Sequence, residues 1–103
     1  MSLPKTNGSP DMPPASSRLL LRLYIAKGAR TSVAAVANLK QAVADCQGAA
    51  AEVEVVDVYQ APKRALADRI LVTPTLLRIR PDNVAIMIGD LADRQMLAQF
   101  IKG

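Results

Sequence analysis

Hydrophobic positions along this chain change period from one stretch to the next. Arg18 to Ala26, RLLLRLYIA, is the densest apolar run; it is bounded by polar residues and too short for a helix, which predicts a central strand buried on both faces. Lys27-Gly28-Ala29-Arg30 reads as a loop, and Thr31 or Ser32 as the cap of a following helix. Val36, Leu39, Val43 and Cys46 then recur at i, i+3, i+7 and i+10, one face of that helix. Asn38, Gln41 and Asp45 lie on its opposite face, and Gly48 closes its C-terminus. Glu52-Val53-Glu54-Val55 alternates and runs on through Val56-Asp57-Val58, a second strand. Strand, helix and strand make a βαβ unit, so the two strands are expected to be parallel and joined right-handedly. Pro62 suits the first turn of a second, short helix whose core anchors would be Leu66 and Ile70.

The stretch from Leu71 to Asp90 organises what remains. Two apolar, alternating segments are joined by Pro81-Asp82-Asn83, the pattern of a β-hairpin. Pro74 lacks an N–H for the ladder, so it belongs just before the first strand of the pair, a place where a cis peptide is plausible. Asp90 is expected to cap a last helix, with Asp93 in its first turn. Leu91, Met96, Leu97, Phe100 and Ile101 supply that helix's apolar side. The order β-α-β-α-β-β-α, with a mixed four-stranded sheet, is the thioredoxin-like arrangement, and Pro74 stands where that fold carries its cis-proline.

Composition changes this picture at a few points. Residues 1–17 are rich in Pro, Ser, Gly and Asn and read as a disordered lead-in, leaving one domain over 18–103. Half the chain is hydrophobic but only 3% is aromatic, so Ala and Val must fill much of the core. Thirteen Lys and Arg against nine Asp and Glu give +4, yet the cations are scattered, with no run that marks a nucleic-acid or lipid surface. No window approaches the ~20 apolar residues of a membrane span, and the start is not that of a secretory signal. A soluble, cytoplasmic protein is expected.

Candidate chemistry is sparse. Histidine is absent, which removes the commonest general base and metal ligand. The redox members of this fold carry Cys-x-x-Cys between first strand and first helix; here that place reads Ala26-Lys27-Gly28-Ala29-Arg30-Thr31-Ser32. Cys46 lies at the far end of the helix, on its apolar face, and is read as core filler rather than a redox centre. Asp57 ends a strand, Asp68 faces solvent beside Arg64, and Asp90 is a cap, so none is left for acid–base work. Lys27-Gly28 is only a fragment of a phosphate loop, and Tyr24 and Tyr59 are too few for a stacking platform. No cofactor or metal is expected, and no enzymatic activity.

Beyond the fold, LRLYIAKG, VEVVDVYQAPKRALADRILVTPTLLRI and IGDLADR resemble the KaiB family of circadian clock proteins across residues 19–99. The shared pattern is a Leu-Tyr-Ile-Ala strand end, Val-Asp-Val followed by a proline, an Ile-Leu-x-Thr-Pro-Thr-Leu turn, and Ile-Gly-Asp-Leu-x-x-Arg. The sensor domain of the clock-output histidine kinase is related, but the Gly89-Asp90-Leu91-x-x-Arg94 signature favours KaiB. The resemblance implies a non-enzymatic regulator that docks on a hexameric KaiC-type ATPase and modulates its phosphorylation cycle. It implies structural roles for Thr73, Pro74, Gly89 and Asp90. It also implies that the region from second strand to second helix faces KaiC, which points to Tyr59, Lys63, Arg64 and Arg69. A histidine kinase or a KaiA-like protein are further implied partners, KaiA the least, because Glu54 stands where that surface is basic in cyanobacterial members. The alternatives are an adaptor domain of another signalling system, a thiol carrier using Cys46, and a basic nucleic-acid-binding module.

The resemblance further implies metamorphism, since cyanobacterial KaiB rests as a tetramer with a differently folded C-terminal half. Three departures favour a settled thioredoxin-like state here, as a monomer or weak homo-oligomer. Pro81-Asp82-Asn83 replaces a run of three prolines, Phe100 and Lys102 stand where those members carry Gly and Asp, and no acidic tail follows Gly103. Phe100 can anchor a helix that Gly would weaken, and Lys102 suits a helix C-terminus.

Overall fold

A computed structural model describes residues 19–46, 51–81 and 83–103. The expected lead-in, the Gly48 cap and the Asp82 turn position lie outside the described residues. In chain order the elements are β1 (Leu19–Ile25), α1 (Arg30–Asp45), β2 (Ala51–Asp57), α2 (Pro62–Ala67), β3 (Thr75–Arg80), β4 (Asn83–Ile88) and α3 (Arg94–Lys102). They form one four-stranded sheet in the order β2-β1-β3-β4. β1 runs parallel to β2 and antiparallel to β3, and β3 and β4 are the expected hairpin. The Thr73–Pro74 peptide is cis, as its place before β3 led one to expect.

Alternation along β1 divides its side chains between two layers. Leu19, Leu21 and Leu23 join Ala35 and Leu39 of α1, Leu76 of β3, Leu91, and Leu97 and Ile101 of α3 in the larger core. Each fully buried Leu or Ile there contributes about 1.5–3 kcal/mol. On the other face Tyr24, Val56, Ala65 and Leu77 make a smaller core under α2. The cysteine is buried in the larger one.

Helix starts and short helices are where local pattern misleads. α1 begins at Arg30 with Ala29 at its N-cap and no side-chain cap, so neither Thr31 nor Ser32 plays that part. Ser32 is buried instead, and its Oγ accepts a 3.0 Å bond from the Ala26 N–H, closing the loop after β1. α3 is capped by Asp93, whose carboxylate accepts from the Met96 N–H at 3.0 Å, while Asp90 accepts from the Ala92 N–H in the preceding turn. Asp93, not Asp90, sits three residues before an orphan helical amide. Met96 is exposed, because α3 turns Leu97 and Ile101 inward and Met96 lies off that face. Leu66 is exposed too: a six-residue helix presents little more than one turn to the sheet, and Ala65 takes that position. Ile70, the other expected anchor, packs against the smaller core.

The end of α3 is tied down by β3. Arg78 Nη1 donates to the Phe100 carbonyl at 2.9 Å, and Arg80 Nη2 donates to those of Ile101 and Lys102 at 3.2 and 3.3 Å. The Arg78 guanidinium also lies 5.2 Å from the centre of the Phe100 ring. Two cations thus satisfy carbonyls that a helix C-terminus leaves open.

Candidate partner-binding site

The connection from the end of β2 to the start of β3 carries all four residues expected to meet a partner, and its backbone is fixed from within. Asp57 Oδ1 accepts from the Tyr59 N–H at 3.0 Å, turning the chain as β2 ends. Pro62 opens α2 at a position whose N–H would have no helical partner. The helix closes in a Schellman motif, in which the Ile70 N–H reaches the Ala65 carbonyl at 2.9 Å and the Arg69 N–H that of Leu66 at 3.0 Å. Arg69 occupies the left-handed position of that motif, with φ 58°. Glycine is the usual residue there; a side chain held in this conformation stores strain.

A polar clamp fastens α2 to the sheet. Arg22 and Glu54 are register partners on β1 and β2, and Arg22 Nε meets Glu54 Oε1 at 2.8 Å. Arg22 Nη1 reaches Asp68 Oδ2 at 3.0 Å, and the Tyr24 hydroxyl donates to the same oxygen at 2.5 Å. Asp68 is therefore half-buried and engaged from β1, not the solvent-facing partner of Arg64 that the i, i+4 spacing had implied. Arg64 instead crosses to Glu54, Nη2 to Oε2 at 2.7 Å. Hydrogen bonds from Arg22 and then Arg64 hold the Glu54 carboxyl below the usual carboxylate range. The bond to Glu54 raises the Arg22 guanidinium. Burial, followed by the bond to Asp68, pushes the Tyr24 phenol up to about 12, so it remains a donor.

What this scaffold presents outward is apolar with a basic rim. Tyr59 is 74%, Leu66 76% and Leu71 93% exposed, and Val72 is half exposed. Tyr59, Leu71 and Val72 share the wall of a shallow groove of about 210 Å³ floored by Ala65 and Ile70. Lys63 and Arg69 are exposed on the same connection, while Arg64 spends its guanidinium on Glu54. Of the four expected residues, Tyr59, Lys63 and Arg69 project freely and Arg64 is half committed to the fold. Leu66 was expected in the core rather than at this surface, and the sequence pattern assigned no role to Leu71 or Val72. The signal available was length: α2 is too short to bury Leu66, and Leu71 and Val72 precede a strand that starts only at Thr75.

The four residues given structural roles meet at one corner. The Gly89 N–H donates to the Pro74 carbonyl at 3.0 Å, joining the cis-proline turn to the end of β4. Gly89 has φ 118°, which an L side chain rarely adopts. Thr75 Oγ1 closes the turn around Thr73 by donating to the Val72 carbonyl at 2.7 Å. Asn38 of α1 donates to the Asp90 carbonyl at 2.8 Å, and Leu91, also left-handed, is driven into the larger core.

The architecture is that of thioredoxin, with a single buried cysteine and an exposed apolar patch beside the cis-proline. Solved structures agree: Fasciola hepatica thioredoxin superposes with a TM-score of 0.71 at 17% identity, covering 85% of this chain and 82% of that one. The Deadhead thioredoxin of Drosophila melanogaster gives 0.70 at 17% identity with the same coverage. At such identity the likeness is one of fold. Sequence comparison is more specific. The family model described as the KaiB domain matches residues 22–102. The circadian clock oscillator protein KaiB of Trichodesmium erythraeum is 41% identical over 85 residues, 82% of this chain and 81% of its own length. The circadian clock protein KaiB3 of Synechocystis is 35% identical over 79 residues, 77% and 78% of the two chains. This chain belongs to the KaiB family.

Proposed function

We propose that this protein is a non-enzymatic, KaiB-like clock regulator that docks on a KaiC-type ATPase and modulates its phosphorylation and ATPase cycle, in circadian or stress signalling. The docking surface is the connection between β2 and β3. One observation carries the reading: Tyr59, Leu66, Leu71 and Val72 are exposed together on a segment whose backbone is braced from Asp57 to the Schellman motif at Ile70. Exposed apolar side chains on a rigid support mark a contact for another protein, since they cost the monomer solubility and add nothing to its core. Lys63 and Arg69 set the sign of the partner's facing surface as acidic. The protein works in the cytoplasm and stays in the thioredoxin-like state, because Arg78 and Arg80 hold the end of α3 around Phe100. A histidine kinase or a KaiA-like protein is a secondary partner. The Glu54 carboxylate, already engaged by Arg22 and Arg64, offers little at the β2 edge to a partner that seeks a basic one.

Arg69→Glu tests the surface. Titrated against the KaiC-type ATPase of the same organism with ATP present, the variant loses at least tenfold in affinity while its thermal midpoint holds. Unchanged affinity removes Arg69 from the site, and no binding by the parent protein removes the function while leaving the fold.

A further inference from the structure

The two edges of the sheet are defended very differently. β2, at one edge, carries Glu52, Glu54 and Asp57, and charged side chains are the usual guard against unwanted strand pairing. β4, at the other, reads Asn83-Val84-Ala85-Ile86-Met87-Ile88, with no charge and no proline. Among the described residues no strand pairs with its outer side.

The direction of its backbone can be worked out. β3 and β4 pair with Arg80 opposite Asn83 across a two-residue loop, and that closing pair is a hydrogen-bonded one. Alternation then turns the N–H and C=O groups of Asn83, Ala85 and Met87 toward β3. The Gly89 N–H, two residues further on, fits the series by donating to Pro74. Val84, Ile86 and Ile88 therefore aim their backbone groups outward. The same three residues are the exposed apolar ones, at 59%, 58% and 65%. Their side chains share the face of the sheet on which α2, only six residues long, covers Tyr24, Val56 and Leu77 and stops. Donors, acceptors and apolar side chains are thus left unpartnered in one row.

We propose that β4 is a homodimer edge, at which a second copy of this chain adds its own β4 antiparallel across a twofold axis. With Ile86 on the axis, Ile86 exchanges both backbone bonds with its counterpart, and Val84 stands opposite Ile88 of the second copy. All three outward residues are then paired, and all apolar side chains meet on one face, as register requires. The sheet becomes eight-stranded. Charge favours this edge for self-association: two copies each carrying +4 approach along the strand that has no cation. Area sets the strength. Three partly exposed aliphatic side chains and a strand edge bury well under the roughly 800 Å² per partner of a standard stable interface. The dimer is therefore weak and reversible. It uses residues outside the β2–β3 connection, so it stands whether or not that connection docks an ATPase.

Sedimentation equilibrium on the full chain, with a concentration series of amide exchange followed by NMR, tests the proposal. Expected are a mass rising from monomer to dimer between about 10 μM and 1 mM, and amides of Val84, Ile86 and Ile88 that become protected over the same range. Ile86→Lys abolishes both with the thermal midpoint unchanged, and Ile86→Val, which keeps the edge apolar, retains them. Three results overturn it: a monomer at 1 mM, a dimer that persists in Ile86→Lys, or protection of these amides at every concentration. The last would mean that the edge is covered within one chain.

Discussion

Arg69→Gly separates what Arg69 does for the fold from what it does for a partner. Arg69 sits at the left-handed position of the Schellman motif that ends α2, with φ 58°. An L side chain in this conformation costs roughly 1–2 kcal/mol. Glycine adopts it freely but carries more entropy into the unfolded chain, which takes back about 0.4–1 kcal/mol. The exposed Arg69 side chain makes no hydrogen bond or ion pair among the described residues that the substitution would remove, so the change should stabilise the domain by about 0.5–1 kcal/mol. For a domain of this size that is a rise of roughly 2–8 °C in Tm. Circular dichroism melts of the two proteins at one concentration measure it, with urea titration as a second reading of the same difference. A Tm that falls, or does not move, would refute the reasoning, because it would mean that the arginine side chain contributes more to the fold than its backbone strain costs. A stabilised variant that has lost affinity for the ATPase would show strain kept in place for the sake of a contact.

The remaining expectations bear on the clamp and the docking surface. Tyr24→Phe deletes the donor to Asp68 and should cost about 1.5–3 kcal/mol, the usual range for a hydrogen bond to a charged group. Because the Tyr24 phenol titrates higher folded, at about 12, than unfolded near 10, its stabilisation is complete below pH 10 and fades as pH rises toward 12. Tyr24→Phe should remove that alkaline slope. The depressed Glu54 carboxyl acts with the opposite sign, its stabilisation being present at neutral pH and lost as pH falls through its lowered value. Leu66→Asn should change stability by less than about 0.5 kcal/mol, since the side chain is 76% exposed, yet weaken docking on the ATPase. A large loss of stability would return Leu66 to the core.

Element order, strand pairing and the cis-proline were legible because each rests on local pattern. An apolar run with β-branched partners makes β1, period 3.6 makes α1, and a proline that cannot join a ladder precedes β3. Caps were less legible, because a cap depends on backbone angles rather than residue type: Ser32 has the right chemistry, but the helix starts two residues before it. The polar clamp was out of reach, since Arg22 and Tyr24 meet Asp68 across separations of 46 and 44 residues. Spacing alone had paired Asp68 with Arg64. At the candidate site the cations were found through family resemblance, whereas the exposed apolar residues beside them emerge only from how little of the sheet α2 covers.

The most direct test of the central claim is the rate at which this protein binds the KaiC-type ATPase from its own organism, with ATP present. A chain already in the thioredoxin-like state, with α3 held by Arg78 and Arg80, presents Tyr59, Leu66 and Leu71 from the moment of mixing, so binding should be complete within the mixing time of a titration. Binding that develops over hours would contradict a settled fold, and no binding after long incubation would contradict the proposed function itself.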